Sequence, residues 1–307
     1  MPTILIAEST FSEAARAELE RVGDVVPFER FEEELPRADA IVAGLELELD
    51  GAVLGRAPQL RVIATRTSQL RHIDLEEAGR RGIEVLYIEP TDPLLRATSS
   101  TAEETFALAL ALVRNLPWAF DSLKAGRWER ARYGGHELAG KTIGLVGYGR
   151  LGRMVAGYAR AFGMDVLAHD PYVEVTDAEA VSLEDLLRRA DVVSIHCTFN
   201  EETRGLIGSR ELGLLRPSAV LVNTARGEIV DEAALLRALE EGRLAGAALD
   251  TLAGERPDGS HLRDNPLVRY AREHENLIVV PHLGGATVEA TERTQLHIAK
   301  RLAAFLS

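Results

Sequence analysis

Short apolar runs alternate with amphipathic stretches along the whole chain. The apolar runs predict buried strands, and apolar residues recurring every three or four positions predict helices. The predicted strands are TILIAE, AIVAGL, LRVIAT and IEVLYI in the first hundred residues, then TIGLVG, MDVLAH, DVVSIHC, AVLVNTA, AGAALD and NLIVVPH. Such alternation is typical of parallel sheets that are covered by helices on both faces. The pattern therefore predicts an α/β protein with two doubly wound parallel-sheet domains.

Two long helices are predicted beside the junctions of these domains. The segment 98–117 is rich in alanine and leucine, and Thr101 followed by Glu104 predicts a capping box at its start. The second long helix covers 285–306, after the last predicted strand. We expect these helices to connect the domains, since the sequence has no linker rich in glycine, serine or proline.

Composition narrows the class of protein. The length of 307 residues is typical of two domains, and the formal net charge of −13 argues against nucleic acid or an anionic membrane as a partner. The single cysteine, Cys197, lies in an apolar run, so we expect a buried, unreactive thiol. We see no signal peptide and no apolar run of membrane-spanning length, and therefore expect a cytoplasmic protein.

A glycine-rich turn lies in the middle of the chain. Gly147, Gly149 and Gly152 follow an apolar run and precede a predicted helix, and Asp170 ends the next apolar run. This spacing is typical of a dinucleotide-binding turn, in which the acid binds the ribose hydroxyls of adenosine. Asp170 would repel a 2′-phosphate, and no arginine follows it in PYVEV, so NAD is favoured over NADP. The alternative is a strand–helix turn that binds no ligand.

Three further motifs follow predicted strands of the second half: NTARGEIVDEAAL from 223, AALDTLAGERP from 247 and PHLGGAT from 281. Ligands bind beyond the carboxyl ends of strands in such sheets, so Arg226, Asp250, Glu255 and His282 are expected to converge. Taken singly, a histidine after a strand is more often a packed residue, and an Arg-Gly pair more often a solvated turn. The co-occurrence of the motifs favours a functional site.

The motifs, in this order, resemble the D-isomer-specific 2-hydroxyacid dehydrogenase family, from about Leu60 almost to the C-terminus. The resemblance implies that Arg226, Glu255 and His282 are the catalytic residues of an NAD-dependent oxidoreductase. It also implies a substrate domain of residues 1–97 plus 283–307, with an NAD-binding domain, 98–282, inserted into it. The two folds are expected to be Rossmann-like or flavodoxin-like.

Reduction of a small 2-keto acid to a D-2-hydroxy acid needs a hydride from NADH, a proton and a cation for the carboxylate. His282 can donate the proton, Glu255 can orient its ring, and Arg226 can bind the carboxylate. No metal is expected. The glycine turn and the family resemblance together imply contacts with NAD(H) from Gly147, Gly149, Arg150, Leu151, Gly152, Asp170, Thr203, Thr224, Asp250, Gly284 and Gly285. The roles of Thr203, Thr224 and Asp250 are implied by the resemblance alone.

The substrate loop departs from the family pattern. The residues expected to bind the substrate are Arg66, Thr67, Ser68, Gln69 and Arg71. Thr67 and Gln69 stand where the family has glycines, and Gly44 stands where phosphoglycerate dehydrogenases tend to carry an arginine for the phosphate. These differences count against 3-phosphoglycerate and leave the 2-hydroxy acid open.

The segment 117–140 resembles the dimerisation arm of the family, so a homodimer is expected. It carries both tryptophans of the chain, Trp118 and Trp128. Either a tryptophan reaches the active site of the partner or it anchors the interface only. An NAD(H)-sensing binding protein or corepressor on the same fold is the alternative function.

Overall fold

The computed structural model describes residues 1–68 and 70–307 and divides the chain into two units. The first unit holds Met1–Thr98 and Thr287–Ser307, and the second holds Ser99–Ala286. These junctions lie one residue and four residues from the predicted domain boundaries. Residues 283–286 stay with the second unit because two backbone N–H groups there donate to Asp250 of that unit.

The strands are β1 (Thr3–Ala7), β2 (Asp24–Val26), β3 (Ala40–Ala43), β4 (Val62–Thr65), β5 (Glu84–Tyr87), β6 (Thr142–Val146), β7 (Asp165–His169), β8 (Glu179–Ala180), β9 (Val192–Ile195), β10 (Val220–Asn223), β11 (Gly246–Leu249) and β12 (Leu277–Val279). The helices are α1 (Glu13–Glu20), α2 (Phe31–Glu34), α3 (Gly51–Gly55), α4 (Leu75–Arg80), α5 (Ser100–Val113), α6 (Leu116–Lys124), α7 (Arg150–Ala161), α8 (Leu183–Arg189), α9 (Ser209–Leu212), α10 (Glu232–Glu240), α11 (Pro266–Glu273) and α12 (Val288–Leu306). Short 3-10 helices cover Phe28–Arg30, Leu35–Arg37, Pro93–Ala97, Gly227–Ile229 and Ser260–Leu262.

The first unit is built on a parallel sheet with the strand order β2-β1-β3-β4-β5. Successive residues of a strand face opposite sides, so Ile4 and Ile6 pack with α1 and α12. Leu5 and Ala7 pack with the helices of the other face. This strand order is that of the flavodoxin-like folds, whose ligands bind beside the first strand, where the order reverses.

The second unit is built on a parallel sheet with the order β12-β11-β10-β9-β6-β7-β8. Its first six strands in sequence follow the Rossmann order, with a seventh strand added beside β11. Apolar clusters cover both faces, and α5 and α7 contribute to one of them. The prediction of two doubly wound parallel sheets is therefore confirmed.

Two short strands were not predicted from the sequence. The strands β2 and β8 are edge strands that each pair with one neighbouring strand, and exposed residues in them break the apolar pattern.

The predicted helix over 98–117 is wrong at its C-terminal end. Asn115 takes a left-handed conformation with φ of 55°, so α5 stops at Val113 and α6 begins anew at Leu116.

The predicted capping box at the start of α5 is also wrong. The helix begins at Ser100 with Ser99 as its N-cap, and the hydroxyl of Thr101 donates to the carbonyl of Gly284 at 2.9 Å. Thr101 and Glu104 therefore lie within the helix, where their side chains are available to the loop that follows β12.

The segment predicted as a dimerisation arm carries exposed apolar side chains. Trp118 packs partly on the core of its own unit, whereas Trp128 is 83% exposed. Leu116, Phe120 and Leu123 of α6 are exposed as well. Within residues 1–68 and 70–307, none of the helices is both long enough and apolar enough to cross a membrane.

Candidate active site

The predicted catalytic residues lie at the carboxyl edge of the second sheet. Arg226, Asp250 and His282 follow β10, β11 and β12, three neighbouring strands, and Glu255 lies in the loop after β11. Parallel strands end at the same edge, so their following loops meet there. His282 is in direct contact with both Asp250 and Glu255.

A short hydrogen bond joins His282 to Glu255. The Nδ1 atom of His282 lies 2.6 Å from Oε2 of Glu255, and both side chains are about one-third exposed, at 33% and 30%. The backbone N–H of Leu252 donates to the other carboxylate oxygen of Glu255 at 2.7 Å. Burial acts to raise the pKa of Glu255, but the bond and charge of His282, the Leu252 N–H and the charge of Arg226 lower it overall. The carboxylate is thus held in its ionised form beside the imidazole.

The backbone around His282 is fixed by Asp250. His282 has a φ of 53°, which is uncommon for a residue other than glycine. Its N–H donates to the carbonyl of Asp250 at 2.9 Å, and the Asp250 carboxylate accepts the N–H groups of Leu283 and Gly284 at 2.5 and 3.1 Å. Burial raises the pKa of Asp250, and these two hydrogen bonds oppose the rise. Asp250 therefore shapes the loop that presents the histidine.

The loop that carries Arg226 is shaped by Asn223. The side-chain amide of Asn223 donates to the carbonyl of Arg226 at 2.8 Å, and its oxygen accepts the N–H of Ala225 at 3.0 Å. Gly227 then packs directly on the backbone of Leu252. These contacts fix the backbone of Arg226 relative to the loop that carries Glu255.

Gly227→Ala is expected to destabilise the protein by about 1–3 kcal/mol. An added Cβ would lie 2.0 Å from the Leu252 carbonyl carbon and 2.2 Å from the Ala253 nitrogen, and neither backbone atom can yield easily. The free energy of unfolding in urea would measure the loss. Gly55→Ala is the matched control, because a Cβ there meets no atom within 4 Å. Equal stability of the two variants would contradict this packing.

The glycine turn has the geometry of a phosphate-binding site. Gly147 has a φ of 100°, and a Cβ there would lie 2.5 Å from the backbone nitrogen of Cys197. A Cβ on Gly152 would lie 2.3 Å from the carbonyl oxygen of Gly147, so the glycine lets α7 approach β6 closely. Open space adjoins Gly149, the N-cap of α7, and no side chain caps this helix. The first N–H groups of α7 are thus available to a pyrophosphate, so the residues present fit a dinucleotide.

Asp170 lies at the end of β7, next to this turn. One carboxylate oxygen accepts the N–H of Tyr148 at 2.7 Å, and the other accepts those of Tyr172 and Val173 at 2.9 and 3.0 Å. The carboxylate is fixed by the backbone on two sides. The oxygen that accepts the Tyr148 N–H keeps a lone pair, which can accept a bond from a ribose hydroxyl.

The other residues expected to contact the cofactor lie along the same edge of the second unit. Arg150 and Leu151 open α7, and burial lowers the pKa of Arg150. Thr203 uses its hydroxyl within its own turn, donating to the carbonyl of Thr198 at 2.8 Å. The hydroxyl of Thr224 lies 2.7 Å from that of Thr105 on α5, and Gly285 is exposed with open space beside it.

One acidic residue of this region was missed by the sequence motifs. Glu104 projects from α5 toward Gly284. A Cβ on Gly284 would lie 3.0 Å from Oε2 of Glu104 and 2.9 Å from Oδ2 of Asp250, so both carboxyls face the same side of this glycine. The only sequence signal is its helical position, between Thr101 and Thr105, and it becomes informative only when the loop after β12 is in place.

The predicted substrate loop lies in the first unit, after β4. The guanidinium Nε of Arg66 donates to the buried carboxylate of Glu8, which follows β1, at 3.0 Å. The hydroxyl of Thr67 lies 3.1 Å from that of Thr65, which in turn lies 3.3 Å from Nε2 of the buried His72. Ser68 is half-buried and Arg71 is exposed, and Gln69 lies outside the described residues.

Cys197 is not suited to act as a nucleophile. Burial raises the pKa of Cys197 to about 11, so the thiol is protonated and unreactive. In the described part of the chain, no group of three or more histidine, cysteine, aspartate or glutamate residues is arranged to hold a metal ion.

Comparison with known proteins identifies a family. Residues 106–284 match the family model described as "D-isomer specific 2-hydroxyacid dehydrogenase, NAD binding domain". The chain is 35% identical to D-3-phosphoglycerate dehydrogenase of Methanocaldococcus jannaschii over 98% of its length, which covers 57% of that protein. It is 38% identical to glyoxylate reductase of Aeropyrum pernix, covering 99% of this chain and 92% of that protein. The chain spans about half the length of several phosphoglycerate dehydrogenases that it matches.

Solved structures show the same architecture over the whole chain. A protein from Thermus thermophilus superposes with a TM-score of 0.84 at 34% identity, covering 99% of this chain and 96% of that one. D-lactate dehydrogenase from Aquifex aeolicus, solved in complex with NAD and lactic acid, gives a TM-score of 0.80 at 29% identity, covering 99% and 95%.

Proposed function

We propose that this chain, which belongs to the D-isomer specific 2-hydroxyacid dehydrogenase family, transfers a hydride between NAD(H) and a small D-2-hydroxy acid or 2-keto acid. The observation that carries the proposal is the 2.6 Å bond between His282 and Glu255 at the strand edge that also carries Arg226 and Asp250. A proton donor held by a carboxylate, beside a cation, is what reduction of a 2-keto acid requires.

His282 moves the proton in this proposal. Its Nδ1 is bound to Glu255, which leaves Nε2 to give a proton to the substrate oxygen and to take it back in the oxidation. Glu255 fixes the ring and stabilises the imidazolium. Arg226 binds the substrate carboxylate through its guanidinium and polarises the neighbouring carbonyl.

The residues proposed to bind the cofactor lie at the glycine turn and along the carboxyl edge of the second sheet. The N–H groups at the start of α7, with Arg150 and Leu151, would hold the pyrophosphate, and Asp170 would accept bonds from the adenosine ribose. Asp250 would contact the nicotinamide ribose or carboxamide, and Thr203, Thr224, Gly284 and Gly285 would lie along the cofactor. Bound NADH supplies the hydride. The second unit is accordingly the NAD-binding domain and the first unit the substrate domain.

The substrate is a small acid without a phosphate. A Cβ on Gly44 would lie 2.3 Å from Cγ of Glu8, so an arginine cannot replace this glycine while Glu8 stays in its place. Arg66 is already paired with the Glu8 carboxylate, whose negative charge offsets the attraction of Arg66 for a phosphate. Glyoxylate and hydroxypyruvate fit this description, and glyoxylate reductases are among the relatives.

The protein is proposed to work as a cytoplasmic homodimer. The apolar side chains of the arm, including Phe120 and Trp128, are exposed in the single chain, and a second copy would cover them. Light scattering after size exclusion should give the mass of two chains. Trp128→Ala should shift the protein toward a monomer.

An assay with a panel of small 2-keto acids and NADH tests the activity. The oxidation of NADH at 340 nm is expected with at least one of glyoxylate, hydroxypyruvate and pyruvate, and a D-configured product is expected by chiral chromatography. A protein that binds NADH but turns over none of these acids would instead support an NAD(H)-sensing role. That alternative is disfavoured, since the named relatives are enzymes and a sensor needs no proton donor.

A further inference from the structure

Glu104 is held in a fixed position on one face of α5. One turn before it, the hydroxyl of Thr101 donates to the carbonyl of Gly284, and directly after it the hydroxyl of Thr105 contacts Thr224. Residues three apart share a face of a helix, so the contact of Thr101 fixes the face from which Glu104 projects, and that of Thr105 fixes the rotation of the helix. The helix is thereby bound to the loops after β10 and β12.

Among the described residues, one carboxyl oxygen of Glu104, Oε2, is buried without a hydrogen-bond partner. Burial, followed by repulsion from Asp250, raises the pKa of Glu104 to about 7, against an opposing attraction by His282. A buried polar atom that has no partner destabilises the fold. Its presence at the strand edge that bears Asp250 and His282 therefore points to a function.

The charged groups around Glu104 come from two loops. Asp250 follows β11 and faces the same side of Gly284, and His282 follows β12. The neighbour on its own helix, Glu103, is exposed and accepts a hydrogen bond from the hydroxyl of Ser99. When Glu104 is ionised, it therefore adds a second negative charge next to that of Asp250.

We propose that Glu104 is a specificity-determining residue that favours oxidised over reduced cofactor through its charge. The inference rests on the proposed function, in which Asp250 contacts the nicotinamide end. The oxidised nicotinamide ring carries a positive charge and the reduced ring is neutral. A carboxylate beside Asp250 stabilises the cationic ring and has little effect on the neutral one.

The direction of the pH dependence follows from the raised pKa. Below pH 7 Glu104 is mainly protonated and neutral, so it does not distinguish the two rings. As the pH rises through about 7, the carboxyl ionises and the affinity for NAD⁺ rises relative to that for NADH. His282 and Asp250 face the same region, so the contribution of Glu104 is isolated by comparing variants at each pH rather than from the wild type alone.

Dissociation constants of NAD⁺ and NADH, measured by calorimetry without substrate at pH 5.5 and 8.5, test the proposal. At pH 8.5, Glu104→Gln is expected to lower the affinity for NAD⁺ relative to the affinity for NADH by about three- to tenfold compared with wild type. At pH 5.5 the difference between the two proteins should nearly vanish. Glu103→Gln, the same change on the exposed face of the helix, should match wild type at both pH values.

An unchanged ratio of the two constants in Glu104→Gln at pH 8.5 would overturn this inference while leaving the proposed function intact. A loss of affinity equal for both cofactors would also overturn it, since that result indicates a structural role. Failure of the wild-type protein to bind either cofactor would instead contradict the proposed function itself.

Discussion

His282→Asn is expected to lower kcat by about 10²–10⁴-fold while changing the dissociation constant for NADH little. The asparagine removes the proton donor. It also suits the backbone better than alanine would, because His282 has a φ of 53° and asparagine tolerates this conformation. The hydrogen bonds from the backbone of this loop to Asp250 should therefore persist. Steady-state kinetics with the best keto acid and a fluorescence titration with NADH give the two quantities.

His136→Asn is the matched control for this variant, since His136 is exposed in the arm segment and should tolerate the change. If His282→Asn kept turnover within a few-fold of wild type, another group would have to donate the proton. Glu255→Gln should cause a smaller loss, because the glutamine oxygen can still accept the Nδ1–H bond but carries no charge to stabilise the imidazolium.

The sequence contained most of what was needed to predict the strand edge. Arg226, Asp250 and His282 each lie within a few residues of a buried apolar run, and the parallel order makes such positions neighbours. The reasons for the three glycines of the turn were also accessible, because the close approach of Gly152 to Gly147 is a property of every strand–helix turn with this spacing.

The features that could not be predicted depend on contacts between distant segments. The pairing of Arg66 with Glu8 joins residues 58 positions apart, and no sequence motif predicts that these two residues form a pair. The predicted capping box failed for a similar reason, since Thr101 bonds to Gly284, 183 positions away. The stop of α5 depends on a left-handed Asn115, whereas Pro117 is compatible with the first turn of α6.

Glu8 is a buried acid and Glu104 a half-buried one, and both lie outside the strand-end motifs. Glu8 follows β1 at the carboxyl edge of the first sheet, and Glu104 faces the loop after β12 at the carboxyl edge of the second. Ligands of such folds bind at these edges. One carboxylate oxygen of Glu8 accepts hydrogen bonds from the side chains of Arg66 and Gln295. Glu8 is paired with an arginine, whereas Oε2 of Glu104 has no hydrogen-bond partner in the described part of the chain. The carboxyl of Glu104 rather than that of Glu8 is therefore the one proposed to respond to the charge of the cofactor.

The wild-type protein is expected to use NADH at least about 100-fold more efficiently than NADPH, as measured by kcat/KM at pH 8. The carboxyl group of Asp170 is fixed by three backbone N–H groups, so it cannot turn away from a 2′-phosphate. Like charges brought together in this way can cost several kcal/mol, and about 1.4 kcal/mol already corresponds to tenfold.

Asp170→Ala should shrink this preference mainly by lowering kcat/KM with NADH, because the ribose hydroxyls lose their acceptor while NADPH loses a repulsion. Some loss with both cofactors is expected as well, since the N–H groups of Tyr148, Tyr172 and Val173 lose their common partner. Asp165→Ala, at the exposed start of the same strand, controls for effects on β7 and should retain the wild-type ratio. Equal efficiency of the wild-type protein with NADPH and NADH would show that Asp170 is not the residue that selects the cofactor.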